Sequence, residues 1–299
     1  MSAEVLTAGE ALVAIVPDAP VPFEDASCFD AKVGGAEVNF AVCLARLGRT
    51  VAWYGMLGDD PAGRMVLRAL REAGVEASAV TVAAGEQTGI YLRDWQPDGE
   101  RRPRYYRAGS AARLLAPASL PADLAPGRWL HLTGITAALG DGPRAMLHEL
   151  VDRARRIDAG VSFDPNYRPA LWAPHEAAPH LGELAARCNV LLMSEDDSHL
   201  LFGGDERGAL EAARELGPAT VVLKRGRRGA LALHGATFAQ TAAVEARAVD
   251  PVGAGDAFDA GFVAALLDGA PLDAALAAGA RLGALATEHP GEHPPMPPR

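Results

Sequence analysis

Short runs that are apolar throughout alternate along this chain with longer stretches whose apolar positions recur every three to four residues. The runs are Val51-Ala52-Trp53-Tyr54, Trp129-Leu130-His131-Leu132, Val161-Ser162-Phe163, Val190-Leu191-Leu192-Met193 and Thr220-Val221-Val222-Leu223. Rich in β-branched and aromatic residues, and apolar on both faces, they read as buried parallel strands. Helical patterns lie between them. Residues 35–48 put Val38, Ala41, Val42 and Ala45 on one face. Residues 60–74 have a capping Asp60, Pro61 in the first turn, Val66 and Leu70 four apart, and a closing Gly74. This alternation predicts an α/β fold with a mostly parallel central sheet flanked by helices.

One segment departs from that pattern. Residues 89–94 and 104–107 flank Gln96-Pro97-Asp98-Gly99-Glu100, which predicts an antiparallel hairpin on an Asp-Gly turn. Ile90 and Leu92 fall on one face, Tyr91 and Arg93 on the other. Inserted in a parallel α/β chain, such a hairpin is a candidate lid, and residues 10–33 are expected to add strands to it. Without a repeat, low-complexity tract or linker, residues 1–299 should form one domain. The lid would be a subdomain built from roughly 10–33 and 88–113. The last residues, 288–299, hold five prolines and are expected to be loose at the end.

Composition narrows the partners. With 28 basic and 38 acidic residues the formal net charge is −10, which argues against nucleic acid or an anionic membrane as partner. Cys28, Cys43 and Cys188 are scattered, so neither a zinc site nor a disulfide framework is encoded. The N-terminus begins acidic and has Glu10 inside its apolar part, unlike a signal peptide. No apolar stretch approaches the roughly 18 residues of a membrane span, and a cytoplasmic protein is expected. Lys32 and Lys224 are the sole lysines, the other basic residues being arginine.

The strongest chemical signal is Asp250-Pro251-Val252-Gly253-Ala254-Gly255-Asp256-Ala257-Phe258, running into an apolar helical stretch. Gly253, Ala254 and Gly255 allow close backbone approach, and the helix that follows points free N–H groups and its positive end at whatever sits there. That makes an anion hole suited to a transferring phosphoryl group. Asp256, in the first turn, is placed to accept a proton from an attacking hydroxyl. The same spacing also suits a plain turn and helix cap. A second glycine segment, Lys32-Val33-Gly34-Gly35-Ala36-Glu37-Val38-Asn39, opens another helix. There Gly34 and Gly35 permit ligand approach, and Asn39 can both donate and accept hydrogen bonds.

Taken together, Gly-Gly-Ala-Glu-x-Asn and Asp-Pro-x-Gly-Ala-Gly-Asp-x-Phe resemble the paired signatures of the ribokinase-like (pfkB) sugar kinases. The likeness covers nearly the whole chain, and the hairpin matches that family's β-lid. It implies a ribokinase-like fold and transfer of the γ-phosphoryl of ATP to a sugar hydroxyl, with Mg²⁺. A monovalent cation such as K⁺ is a further candidate. By the resemblance Asp256 is the base, and the amides of Gly253, Ala254 and Gly255 form the anion hole. Residues 192–197 look like the family's Asn-x-x-Glu motif, with Ser194 for the usual Asn and Asp197 for the usual Glu. This implies Ser194 at the nucleotide and Glu195 and Asp197 at the metal, where oxygen ligands suit Mg²⁺. Residues 223–229 resemble the loop flanking the nucleotide, making Lys224, Gly226 and Gly229 candidate ATP contacts. Ala280 replaces an Asn often found near the adenine.

Within the family, Tyr91, Tyr105-Tyr106-Arg107 and Asp164-Pro165-Asn166-Tyr167-Arg168 resemble the 2-keto-3-deoxygluconate kinase branch. A keto-deoxy-sugar acid offers a carboxylate, which guanidinium groups bind bidentately, and Arg107 and Arg168 are the candidates. The sugar acid would also meet Gly34, Gly35, Asn39, Tyr91 and Tyr105 beneath the lid. Asp256, taken as an aspartate of near-normal pKa, would accept the proton. The expected product is 2-keto-3-deoxy-6-phosphogluconate. A fructokinase or ribokinase is the main rival, and a non-catalytic sugar-binding homologue a lesser one. A dinucleotide oxidoreductase fits poorly, since no GxGxxG follows the first strand. His131, on an apolar strand, reads as a core histidine. A lid sheet with an open face invites a second copy, so a homo-oligomer is expected.

Overall fold

A computed structural model describes residues 3–19, 21–95, 101–289 and 291. In chain order the elements are β1 (Val5–Ala8), β2 (Leu12–Pro17), β3 (Phe29–Gly34), α1 (Ala36–Arg46), β4 (Val51–Tyr54), β5 (Met56–Gly58) and α2 (Pro61–Glu72). Then come β6 (Thr81–Ala83), β7 (Gly89–Trp95), β8 (Arg101–Tyr106), β9 (Trp129–Thr133), α3 (Gly134–Ala137), α4 (Asp141–Arg156), β10 (Gly160–Asp164) and α5 (Pro174–Ala185). The last third supplies β11 (Val190–Ser194), α6 (Glu195–Leu201), α7 (Glu206–Leu216), β12 (Thr220–Lys224), β13 (Ala230–His234), β14 (Thr237–Thr241), α8 (Ala254–Leu267) and α9 (Leu272–Thr287).

Eight strands form the main sheet in the order β14-β13-β12-β11-β10-β9-β1-β4. The six from β12 to β4 pair in parallel, and β13 and β14 close one edge antiparallel. Each predicted run is one of the parallel strands, and each is buried on both faces. Leu6, Leu130, Leu132, Val161 and Phe163 point into one core with α4 and α5. Val5, Val51 and Trp53 point into the other, beneath α1, α2 and α8. Alternate residues of one strand thus serve two helical layers, which is why the runs show no polar face.

A second sheet, β3-β2-β7-β8, is formed by the two segments expected to build the lid. Its inner face stacks Leu12, Ala14, Val16 and Tyr91 with Tyr105, while Val13, Ile15 and Ile90 on the other face join the main core. Tyr91 and Tyr105 are register partners, with ring centroids 5.4 Å apart. The Asp-Gly turn at 96–100, Pro290 and residues 292–299 of the proline-rich end lie outside the described residues. Among those described, no helix is long and apolar enough to cross a membrane.

The helix starts follow their caps. Asp60 accepts from Gly63 N at 2.6 Å to open α2, and its second oxygen accepts from Thr88 N at 2.7 Å. Gly253, with φ at +78°, begins α8. Both faces of α8 are buried, one against α1 and the other against α9. Its start is therefore fixed relative to the sheet.

Candidate active site

A cleft of about 1230 Å³ lies between the inner face of the lid and the carboxyl ends of the central strands. This is where an open α/β sheet presents ligands. The lid contributes Tyr91, Tyr105 and Arg107, α1 contributes Asn39, and the loop after β10 contributes Asn166 and Arg168. The ends of β11 and β12 bring Ser194 and Lys224, and the floor is Gly253, Ala254, Gly255 and Asp256. Phe258, Ala280 and Gly283 line the far end.

Asp256 is the centre of this arrangement. Its Oδ2 accepts from Asn39 Nδ2 at 2.8 Å and its Oδ1 from Asn166 Nδ2 at 3.4 Å. The buried amide oxygens Asn39 Oδ1 and Asn166 Oδ1 have no hydrogen-bond partner among the described residues. Both asparagines line the cleft, so a ligand hydroxyl could donate to these oxygens while its oxygen stands beside the carboxylate. Burial pushes the Asp256 carboxyl up to about 6, with the charge of Asp164 adding to the rise and the Asn39 bond opposing it. The expected near-normal pKa is therefore corrected: this is a stronger base than an exposed aspartate.

Lys224 has a different occupation from the expected contact with ATP. Its Nζ donates to Asp164 Oδ2 at 2.7 Å and to Asp259 Oδ1 and Oδ2 at 2.9 and 3.1 Å. Its hydrogens are thus spent within the protein. Burial works against the ammonium, yet the two aspartates hold its pKa above the ordinary value. Burial pushes Asp259 well above the usual carboxylate range, whereas the Lys224 charge holds Asp164 below it despite burial. The cluster ties the ends of β10 and β12 to α8, one turn below Asp256.

On the lid, Arg107 is ion-paired with Glu10, and both are buried. Ser110 Oγ also donates to Glu10 Oε1 at 2.6 Å. Arg107, a candidate for the carboxylate, thus lines the cleft with its charge already offset by Glu10. Arg168 is exposed at the cleft and donates to its neighbour's carbonyl, Tyr167 O, at 3.0 Å. Tyr91 and Tyr105 both face the cleft, as expected. Tyr106 is turned outward.

The candidate metal pair is not brought together. Asp197 accepts from Ser194 N at 2.8 Å, Ser194 Oγ at 2.6 Å and Tyr167 N at 2.8 Å. With Ser194 it forms a capping box at the start of α6. Glu195 pairs with Arg228 and is not part of the cleft wall. Among the described residues no group of three His, Cys, Asp or Glu is arranged to hold a metal ion. A protein-held Mg²⁺ at Glu195 and Asp197 does not fit this donor set, whose oxygens are already committed within the protein.

The glycines divide similarly. Gly35, at φ +127°, sits where a Cβ would strike the Glu10 carbonyl, and it lines the cleft. Gly34 instead ends β3 opposite Leu12 and is absent from the cleft wall. Gly229 lines the cleft, but a Cβ there would strike Thr241 O, so the residue is also needed for packing on β14. Gly226 lines the cleft with open space beside its Cα.

Five residues that matter here, Asn166, Glu10, Arg93, Asp164 and Glu37, stand in segments noted from sequence but carry no site role there. Asn166 had a local signal, since it follows Asp164-Pro165 at the carboxyl end of an apolar run. Glu37 is fully buried beside the site and accepts from Thr133 and Thr136 at 2.7 Å each. Burial pushes its carboxyl up to about 7. His131 is a core residue, as expected, stacked on Phe40 with centroids 3.8 Å apart.

The family model for the pfkB carbohydrate kinases matches residues 3–299. A 2-dehydro-3-deoxygalactonokinase of Haloferax volcanii is 34% identical, covering 95% of this chain and 91% of its own. A 2-dehydro-3-deoxygluconokinase of Bacillus subtilis is 32% identical, covering 100% and 94%. A fructokinase of Klebsiella pneumoniae is 30% identical, covering 99% and 97%. Among solved structures, a PfkB protein from Polaromonas sp. JS666 is 36% identical with a TM-score of 0.88, covering 96% of each chain.

Proposed function

The chain belongs to the pfkB family of carbohydrate kinases, and from that premise we propose that it phosphorylates 2-keto-3-deoxygluconate with ATP. The product would be 2-keto-3-deoxy-6-phosphogluconate. The observation that carries the catalytic part is the half-buried Asp256 carboxylate at the start of α8, flanked by two amide oxygens that have no hydrogen-bond partner among the described residues. Asn39 Oδ1 and Asn166 Oδ1 would receive hydroxyl protons of the sugar. The attacking hydroxyl oxygen would bond to the γ-phosphorus, and its proton would pass to Asp256. The bond from the γ-phosphorus to the β–γ bridging oxygen breaks, and ADP leaves with that electron pair. The N–H groups opening α8 would receive the charge on the transferring group, apart from Ala254 N–H, which donates to Pro251 O at 3.2 Å. Mg²⁺, held mainly by the phosphates and water as it commonly is, would supply charge neutralisation on the triphosphate.

The substrate part rests on the relatives named for keto-deoxy-sugar acids and on Arg168, an exposed cation at the cleft that forms no salt bridge among the described residues and whose charge acts on Asp256. A second reading, phosphorylation of a neutral ketose such as fructose, is favoured by the Glu10–Arg107 pair, which offsets the other guanidinium.

The test is ATP-dependent ADP release with 2-keto-3-deoxygluconate, its galacto isomer, fructose, ribose and gluconate in parallel. Asp256→Asn serves as control, and K⁺ is included and omitted. Preference for a keto-deoxy acid, lost in the control, is the expected result. Preference for fructose would retain the kinase and replace the substrate. Absence of turnover with every sugar would favour a non-catalytic binder.

A further inference from the structure

Lid strand β7 carries one enclosed guanidinium, that of Arg93, which lies behind the cleft wall and is not part of it. Arg93 is 3% exposed and ion-paired with Asp250, which is equally buried. Its Nη2 also donates to Tyr91 Oη at 3.0 Å. Tyr91 lines the cleft next to Tyr105 and belongs to the lid's inner face. Asp250 opens the turn into α8: its Oδ1 accepts from Val252 N at 3.1 Å, and its own N–H donates to Thr287 O at 2.9 Å. Gly253 to Gly255, the floor of the cleft, follow directly.

The same side chain therefore touches the lid residue that faces the sugar half and the residue that shapes the phosphate loop. A guanidinium suits this task because its planar fork can serve two acceptors in fixed directions. Burial of both charges makes the link stiff, since separating a desolvated pair leaves an uncompensated charge. Other parts of the molecule offer less. In the second cavity Arg49 is already paired with Glu4 and Asp268 while Arg281 is exposed at its edge, and Cys28 is a single exposed thiol.

We propose that Arg93 is a positioning residue that couples the sugar pocket to the phosphate loop. A sugar settling against Tyr91 would fix Arg93, and through Asp250 the turn that presents the anion hole. This rests on the reading of the cleft as a sugar-kinase site. It adds that occupancy of one half prepares the other.

Titration calorimetry tests it, with ADP as probe, in the presence and absence of a saturating sugar that the wild type phosphorylates. Wild-type turnover judges the sugar-kinase reading, and the ratio of the two ADP affinities judges the coupling. Sugar is expected to tighten ADP binding in the wild type by a factor in the usual allosteric range, about 5–150-fold. In Arg93→Gln, and in Arg93→Met combined with Asp250→Asn, the ratio should fall towards one, with kcat reduced more than either KM. Tyr91→Phe, which leaves the ion pair intact, should lower the ratio without lowering the melting temperature. Arg93→Lys should restore part of it. A wild-type ratio of one, or an unchanged ratio in folded Arg93 variants and in Tyr91→Phe, would overturn the proposal. Should both Arg93 variants fail to fold, Tyr91→Phe decides.

Discussion

Asn39 Nδ2 donates to Asp256 Oδ2 across 2.8 Å, although 217 residues separate the two in sequence. The first turn of α1 therefore aims the carboxylate at the first turn of α8, and Asn166 approaches its other oxygen. The two glycine segments form one site because these helices share a core. Asp256→Asn keeps the shape and removes the base. Its kcat is expected to fall by about 10²–10⁴-fold, as is usual when a positioned general base is lost. Asn39→Ala should cost less in kcat and more in KM for the sugar, because it removes both an aiming bond and a hydroxyl acceptor. Steady-state kinetics of the pair against wild type checks this.

A pH profile follows from the carboxyl raised from 3.8 to about 6. The base is competent only when ionised. The value of kcat/KM should therefore hold above neutrality and fall as the pH drops through about 6, approaching tenfold per unit. An acid limb near 4 would show that burial does not govern Asp256.

Glu37 gives a stability prediction of defined sign. Its folded pKa is raised from 4.5 to about 7, so folding takes up protons in that interval, and stability falls as the pH rises through it. The full penalty is present above about 7 and absent below about 4.5. A shift of this size corresponds to roughly 3 kcal/mol at most. Glu37→Gln retains an acceptor for Thr133 and Thr136, and should raise the melting temperature by several degrees at pH 8 with little change at pH 4.5. Thermal unfolding at the two pH values settles the sign.

What the sequence made legible was what local pattern encodes. Both-face burial wrote the parallel strands as unbroken apolar runs, and small residues before a helix marked the floor of the cleft. The Ser-x-x-Asp pattern of residues 194–197 is a local cap signal as well, although the family likeness assigns Ser194 to the nucleotide and Asp197 to the metal. Long-range charge pairing had no such signature. Nothing near Arg107 announces Glu10, and nothing near Lys224 announces Asp164 and Asp259, because those partners arrive on different strands and helices. A cation in a cleft reads as a ligand contact until its internal partners are known.

The two arginines of the sugar half should consequently separate in experiment. Arg168→Ala removes an exposed cation and should raise KM for a keto-deoxy acid by about 10–100-fold, the loss of one charged hydrogen-bonded contact of 1.5–3 kcal/mol. Its melting temperature and its KM for ATP should hardly move. Arg107→Ala strands Glu10 in the interior, and removing one partner of a buried pair costs about 3–5 kcal/mol. It should therefore unfold at markedly lower temperature, and Glu10→Gln added to it should recover part of that loss. Kinetics and thermal unfolding on the three proteins separate a ligand contact from a supporting pair.

Lys224 tests the same distinction at the nucleotide half. Were its ammonium a phosphate ligand, Lys224→Met would raise KM for ATP and leave stability alone. Its hydrogens go instead to Asp164 and Asp259. The substitution should thus leave two carboxyls facing each other without their cation, at a cost of about 3–5 kcal/mol. The sign with pH is fixed by Asp164, which Lys224 holds below its ordinary value. A carboxyl depressed in the folded state lends stability above its unfolded value that is lost as the pH falls. Without Lys224 that contribution disappears and burial raises the carboxyl. The deficit of the variant should accordingly be largest near neutrality and shrink towards pH 4, where both aspartates can be neutral. Denaturant unfolding of Lys224→Met and wild type across that range decides it. A constant deficit would mean that lost packing, and not lost charge, is what Lys224 contributes.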